Sequence, residues 1–352
     1  MSDLPRLEAR GSVVRNTLSR DTVVRNSTER EPTERDPTER DPTEREPTER
    51  EVTELLAGLR QSPPHVAPRY FYDQRGSQLF DEITRTPEYY PTRTELGLLQ
   101  SRGGQIAEHI AAGSVLLELG SGSAEKALAL LDHLKAPRLY RPIDISKGAL
   151  ERTTRAVQRA RPRLEVSAYW GDFAAAAAYA DLPAGAERLV YYSGSTIGNF
   201  ERPRAIAFLR RLRQRLVARD ALLLGVDLVK DPAVLHAAYN DAAGITAAFN
   251  KNLLSHLNAR FSADFDPEAF DHLAFYDSKK RRVEMHLVPR AELVVKLAGE
   301  RLRFTPSVPI HTESSYKFTL DDLPGLAEQS GFSLEKVVTD ERNWFAEALF
   351  RA

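Results

Sequence analysis

Residues 116–131, LLELGSGSAEKALALL, read as the end of an apolar strand, a glycine-rich turn and the opening of a helix. Such a turn brings backbone N–H groups close to a ligand at a helix N-terminus, and several kinds of cofactor enzyme use it. Gly120 and Gly122 give G-x-G, but Glu125 stands where a dinucleotide fingerprint places its third glycine. Taken alone, the pair is a tight strand-to-helix turn and nothing more.

Working outward, the pattern alternates. A helix over about 93–112 leads to SVLLELG (114–120), a helix from about 124, RLYRPIDIS (138–146) and a helix from about 147. LEVSAYWGDF (164–173), a short alanine-rich helix, RLVYYSGST (188–196), a helix over about 202–217 and ALLLGVDLV (221–229) follow. Short apolar runs alternating with helices predict an α/β fold, a Rossmann-like parallel sheet with helices on both faces. After Lys230 the rhythm changes: 231–261 is largely helical, 272–290 reads as a hairpin, and strand-like segments run to about 315. A helix over 320–331 and two closing strands, SLEKVVTD and WFAEALFR, return to the first pattern. The chain is therefore divided into a cofactor-binding domain, 93–229 plus 320–352, and a second, α+β substrate-binding domain, 56–92 plus 230–319. In such folds ligands bind beyond the carboxyl ends of the strands.

Residues 1–55 are set apart. EPTERDPTERDPTEREPTER (31–50) repeats every five residues, and arginines at 10, 15, 20, 25, 30, 35, 40, 45 and 50 keep that period. At about 100° per residue such arginines spiral around every face of a helix, and the recurring prolines would break it. The repeat has no apolar position to bury, which predicts a disordered tail.

Bulk composition excludes several classes. Lys+Arg number 49 and Asp+Glu 50, a net charge of −1 that favours neither nucleic acid nor an anionic membrane. The chain has no cysteine, which removes disulfides, thiolate metal sites and cysteine nucleophiles and suits a reducing cytoplasm. MSDLPRLEAR has no apolar signal-peptide core, and no apolar run approaches the roughly 20 residues of a membrane span. GSTIG (194–198) mimics a nucleophile elbow but has Thr196 at the nucleophile position, and the eight histidines lack metal-ligand spacing, so no metal is expected.

Two carboxylates sharpen the cofactor question. Asp144 ends the second strand, where it can accept hydrogen bonds from both ribose hydroxyls, and Asp172 ends the third, within reach of an adenine amino group. Glycine loop and two strand-end acids form the S-adenosylmethionine pattern and favour a methyltransferase over a dehydrogenase.

FYDQRGSQLFDEITRTPEYYPTRTE, LELGSGSAEK, GDF, GSTIGNF, LLLGVDLVKD, AYNDAAGITAAFNKNLL, VEMHL and TESSYKF, in order from about Pro68 onward, resemble the L-histidine Nα-methyltransferase family of ergothioneine biosynthesis. The repeat tail has no place in that pattern. The resemblance implies a class I methyltransferase fold and S-adenosylmethionine-dependent trimethylation of the histidine α-amino group to hercynine. It implies that Tyr72, Gly120, Lys126, Asp144, Asp172 and Phe173 hold the cofactor and that Tyr89, Asn199, Tyr239, Glu313 and Ser315 hold histidine and its mono- and dimethyl intermediates. Thr246 and Met285 match pocket-lining positions, and the protein is expected to act as a monomer. Without the resemblance, Tyr89 and Tyr239 read as packing tyrosines, Asn199 as a helix N-cap, and Glu313 and Ser315 as one solvated strand face. Two other readings keep the fold: a tryptophan derivative as acceptor, or a silent cofactor-binding scaffold.

Overall fold

The apolar run before the glycine turn forms β1 (Val115–Leu119), every residue of it buried. The chain then builds α4 (Ala124–Leu131), β2 (Leu139–Asp144), α5 (Lys147–Ala160), β5 (Arg188–Tyr192), α6 (Arg202–Arg213) and β6 (Ala221–Asp227). This computed structural model describes residues 46–352 apart from Ser123, and the expected tail lies outside the described residues up to residue 45. Strands β1, β2, β5 and β6 are parallel. The sheet closes with β12 (Ser333–Thr339) and β13 (Phe345–Arg351), reached through α9 (Asp322–Ser330), and its far edge is β3 (Glu165–Val166); the order is β12-β13-β6-β5-β1-β2-β3, with β13 antiparallel to both neighbours. Strand β1 sits where the winding reverses, so the loops after β1 and β5 diverge and leave a crevice at their carboxyl ends.

Period-two alternation divides the apolar residues between the faces. Leu117, Val190 and Leu224 join Leu209, Leu323 and Leu326 on one side; Leu116, Leu189 and Leu223 join Leu98, Leu130 and Val157 on the other. Leu98 comes from α3 (Pro91–Ala107), shorter than the expected 93–112 helix.

The third strand is interrupted. It forms two short pieces, β3 (Glu165–Val166) and β4 (Tyr169–Trp170), both paired to β2. Arg141, buried within β2, donates from Nε to the Ser167 carbonyl at 3.2 Å and from Nη2 to Ser167 Oγ at 3.0 Å, taking up the backbone between the pieces. The alanine-rich segment is a 3-10 turn, Ala176–Tyr179, rather than an α-helix.

A second core gathers the remaining elements: α1 (Glu49–Leu59), α2 (Gln74–Ile83), α7 (Pro232–Tyr239), α8 (Ile245–Phe261), the sheet β7 (Phe270–Asp277), β8 (Arg282–Pro289), β11 (Ile310–Tyr316), and the hairpin β9 (Leu293–Leu297), β10 (Glu300–Phe304). Phe71 stacks on Phe249 at 4.6 Å between ring centroids, joining the segment before α2 to α8. Order starts earlier than the expected boundary at residue 55. Helix α1 begins inside the last repeat, where Thr48 Oγ1 accepts from Glu51 N at 3.2 Å and Glu51 Oε2 accepts from Thr48 N at 2.9 Å. This reciprocal cap satisfies two orphan donors at the helix start. Leu55, Leu56 and Leu59 bury its apolar side, and Glu51 pairs with Arg260 at 2.8 Å.

The chain leaves the large sheet after Asp227 and returns beside its own departure point. Leu228 and Phe318 form a parallel bridge, with Phe318 N donating to Asp227 O at 2.9 Å and Val229 N to Phe318 O at 2.8 Å. Among the described residues no helix is long and apolar enough to cross a membrane.

Candidate active site

The crevice at the carboxyl ends of β1 and β2 is lined by the glycine turn. Gly120 has φ +72°, a left-handed conformation that glycine adopts at no steric cost, and a Cβ built there would meet nothing within 4 Å. Asp144, at the end of β2, accepts from Ser146 N at 2.7 Å; burial nevertheless lifts its carboxyl to about 6. Lys126 Nζ reaches back from α4 to Glu95 Oε2 at 2.8 Å and Ser193 Oγ at 3.0 Å. Phe173 packs its ring 5.9 Å from Tyr192, whose buried hydroxyl has no hydrogen-bond partner among the described residues. Asp172 is exposed, and its Oδ1 accepts from Ala174 N at 2.8 Å.

Above this crevice lies β11. Its register places Glu313 opposite Met285 and Ser315 opposite Val283, both neighbours belonging to the second core, so Glu313 and Ser315 share the inward face. Both are buried. Burial pushes the Glu313 carboxyl up to about 7 against the attraction of Lys317, and among the described residues it has no hydrogen-bond partner. Tyr239, at the end of α7, is buried beside Ser315 and Glu313. Burial, Tyr239, Tyr72 and Glu313 together raise the Tyr89 phenol. Tyr72 spans the two groups: burial raises its phenol, followed in order by Glu313, Tyr239, Asp144 and Tyr192. Thr246 on α8 is buried with its hydroxyl unpartnered among the described residues. Asn199 ends a 3-10 turn, Thr196–Asn199, and the following helix is preceded by Glu201, so Asn199 is not its N-cap. That turn lies so close to β11 that a Cβ on Gly198 would come 2.7 Å from the Tyr316 carbonyl oxygen.

Of the expected residues, Tyr72, Tyr89, Tyr239, Glu313 and Ser315 thus converge, with Asn199 on the turn beside β11 and Asp144 across the crevice. Asp172, directly before Phe173, is exposed.

Residues 51–352 match the family profile described as "Histidine-specific methyltransferase, SAM-dependent". The chain belongs to this family. It is 40% identical over 301 residues to a histidine N-alpha-methyltransferase of Mycolicibacterium smegmatis, covering 84% of this chain and 93% of that protein. A histidine N-alpha-methyltransferase of Mycobacterium tuberculosis is 38% identical over the same shares. Ergothioneine biosynthesis protein 1 of Neurospora crassa is 32% identical, covering 79% of this chain and 32% of that longer protein. As a member of this family the chain is an S-adenosylmethionine-dependent methyltransferase with a class I, Rossmann-like sheet.

The residues present suit that cofactor. The open glycine turn gives backbone access, Asp144 is a strand-end acceptor, and the Tyr192 and Ser121 hydroxyls, unpartnered among the described residues, are buried polar atoms of the kind a ligand satisfies. No group of three or more metal-ligating side chains occurs among the described residues.

Several buried ionic groups of this methyltransferase escaped the sequence reading. Asp227, at the end of β6, accepts from Tyr90 Oη at 2.7 Å and pairs with Lys317 at 2.8 Å and Lys230 at 2.5 Å. Burial opposes ionisation of Asp227, yet the two ammonium groups hold its carboxyl below the usual range. Glu95, on α3, accepts from Gly194 N at 2.8 Å and Tyr191 Oη at 3.0 Å as well as from Lys126. Asp227 did carry a signal, an acid closing a central strand as Asp144 does. Glu95 carried none, since in TRTELGLL it reads as a solvent-facing helix charge.

Proposed function

We propose that the chain transfers three methyl groups in succession to the α-amino nitrogen of L-histidine, giving the betaine hercynine. One observation carries the reading: a buried carboxylate, Glu313, and a buried hydroxyl, Ser315, share one strand face, within electrostatic range of a tyrosine that also faces Asp144. An imidazole offers an N–H and a lone pair, and a carboxylate beside a hydroxyl complements both. The related histidine N-alpha-methyltransferases, at 38 and 40% identity, support the same acceptor.

S-adenosylmethionine supplies an electrophilic methyl group on a sulfonium. Gly120, Asp144, Lys126, Asp172, Phe173 and Tyr72 are the residues assigned to hold it. The protein's task is then alignment, because a neutral amine needs only to be held in line with that methyl, and orientation of this kind supplies roughly 7–11 kcal/mol of a barrier. Glu313 and Ser315 fix the ring, Tyr239 and Asn199 anchor the amino-acid end, and Tyr72 and Tyr89 close the space between ring and methyl donor. The proposal takes the single chain as the working unit, and the cysteine-free composition supports a cytoplasmic setting.

Mass spectrometry of histidine incubated with the protein and S-adenosylmethionine tests the proposal. Mono-, di- and trimethylated products on the α-nitrogen are expected; faster turnover of tryptophan than of histidine would sink the substrate assignment.

A further inference from the structure

Lys317 lies two residues beyond Ser315 and is buried at the centre of the proposed acceptor site, where the chain leaves β11 for the large sheet. Its Nζ is 2.8 Å from Ser315 Oγ, 3.3 Å from Tyr239 Oη and 2.8 Å from Asp227 Oδ2. An ammonium group has three protons and no lone pair, so these three acceptors use its whole capacity. Burial alone would discharge such a group, but Asp227, Tyr239 and their hydrogen bonds hold the Lys317 ammonium charged.

The proton count has a consequence for the two hydroxyls. Each accepts from Lys317, so each keeps its own O–H for another partner. Ser315 and Tyr239 are thus the two hydroxyl acceptors of the same ammonium group. Toward the amino-acid pocket the trio therefore presents a donor, whereas Glu313, two residues before Ser315 on the same face, presents an acceptor.

We propose that Lys317 is a positioning and specificity residue: by donating to Ser315 and Tyr239 it orients their hydroxyls to donate to the substrate, selecting a ring with one N–H for Glu313 and one lone pair for Ser315. This rests on the reading of Glu313, Ser315 and Tyr239 as the acceptor site. A neutral imidazole meets the requirement. An indole or phenyl ring lacks the lone pair, and a ring with two N–H groups places a donor against a donor.

The test uses the full chain. Histidine KM and kcat are measured by initial rates, and the Kd for S-adenosylmethionine by calorimetry, in wild type and Lys317→Met. The same change is then made in a Ser315→Ala, Tyr239→Phe background. Lys317→Met should raise the histidine KM at least tenfold while the cofactor Kd stays within twofold. In the double-variant background, where neither hydroxyl remains to be oriented, it should raise KM less than threefold. An unchanged KM, or the same factor in both backgrounds, overturns the proposal. Histidine binding by wild type is measured first: its absence strikes the proposed function, whereas its presence with an unchanged KM in Lys317→Met strikes only the role given to Lys317. If Lys317→Met fails to fold, nitrogen-15 spectroscopy of the lysine ammonium groups decides. A buried ammonium signal that moves both in Ser315→Ala and on adding histidine to wild type supports the role; the lack of any such signal overturns it.

Discussion

Glu313 answers to two opposed demands. As the proposed acceptor for an imidazole N–H it should be ionised, yet burial holds its carboxyl near 7, above the 4.5 of an unburied glutamate. Between those values the folded protein keeps a proton that the unfolded chain releases. Stability from this group is therefore greatest below about 4.5 and is lost as pH rises through about 7. Glu313→Gln should stabilise the fold at pH 8, by up to about 3 kcal/mol, and by less at pH 5.5. The same change should lower kcat/KM for histidine by at least about 1.5 kcal/mol, the low end for a charge-assisted hydrogen bond. Thermal unfolding at the two pH values, with matched initial rates, checks both halves; a variant less stable than wild type at pH 8 contradicts the first. Asp144 supports a separate expectation on the cofactor side. Asp144→Ala should weaken S-adenosylmethionine binding by roughly 1.5–3 kcal/mol and leave the pocket of Tyr239 and Glu313 intact. Calorimetry reads it directly, and an unchanged affinity would remove Asp144 from the site.

Helix α1 shows how an element can start inside a segment whose composition argues for none. Proline and charge in the repeats predict disorder, but the last copy supplies Thr48 as a cap, and the leucines after it supply something to bury. Deleting residues 2–45 should leave turnover within about tenfold, or about 1.4 kcal/mol of barrier. Thr48→Ala should cost about 1 kcal/mol of stability, a usual value for a lost N-cap. Initial rates check the deletion, and denaturant titration of Thr48→Ala against wild type checks the cap. The alternating sheet was readable because each buried strand is a short apolar run punctuated by turn residues, which fixes both element type and order. The broken third strand was not, because the cause lies in Arg141 of a different strand reaching the Ser167 backbone. Within the site, Asp144 and the glycine turn could be placed from their position at strand ends. Tyr72, Tyr89 and Tyr239 could be placed only through resemblance, since their convergence depends on how the second core packs. Lys317 was missed because a charge in a strand-like run suggests a solvent-facing residue, whereas Asp227 closes an apolar strand as Asp144 does and was open to the same reading.

On the scale of the whole molecule, the Asp227 cluster ties the two bodies together. One carboxylate at the end of β6 meets Lys317 from the exit of β11, Lys230 from the start of the inserted segment, and Tyr90 from the approach to α3. Asp227→Ala would leave two cations buried without their counter-charge, and breaking a buried pair in this way costs about 3–5 kcal/mol. A fall of that size should appear in chemical denaturation; a variant as stable as wild type would mean that the cluster is not the tie described. The bridge between Leu228 and Phe318 has another outcome. Because departure and return lie side by side, the segment between them makes almost no demand on the spacing of the sheet, as is usual where domain insertions are tolerated. The segment 229–317 can therefore be exchanged, as far as the sheet is concerned, without moving its strands. The exchange has a limit: Tyr89, assigned to the acceptor, belongs to the earlier stretch that packs into the same core, so a graft of 229–317 alone would arrive without that part of its lock.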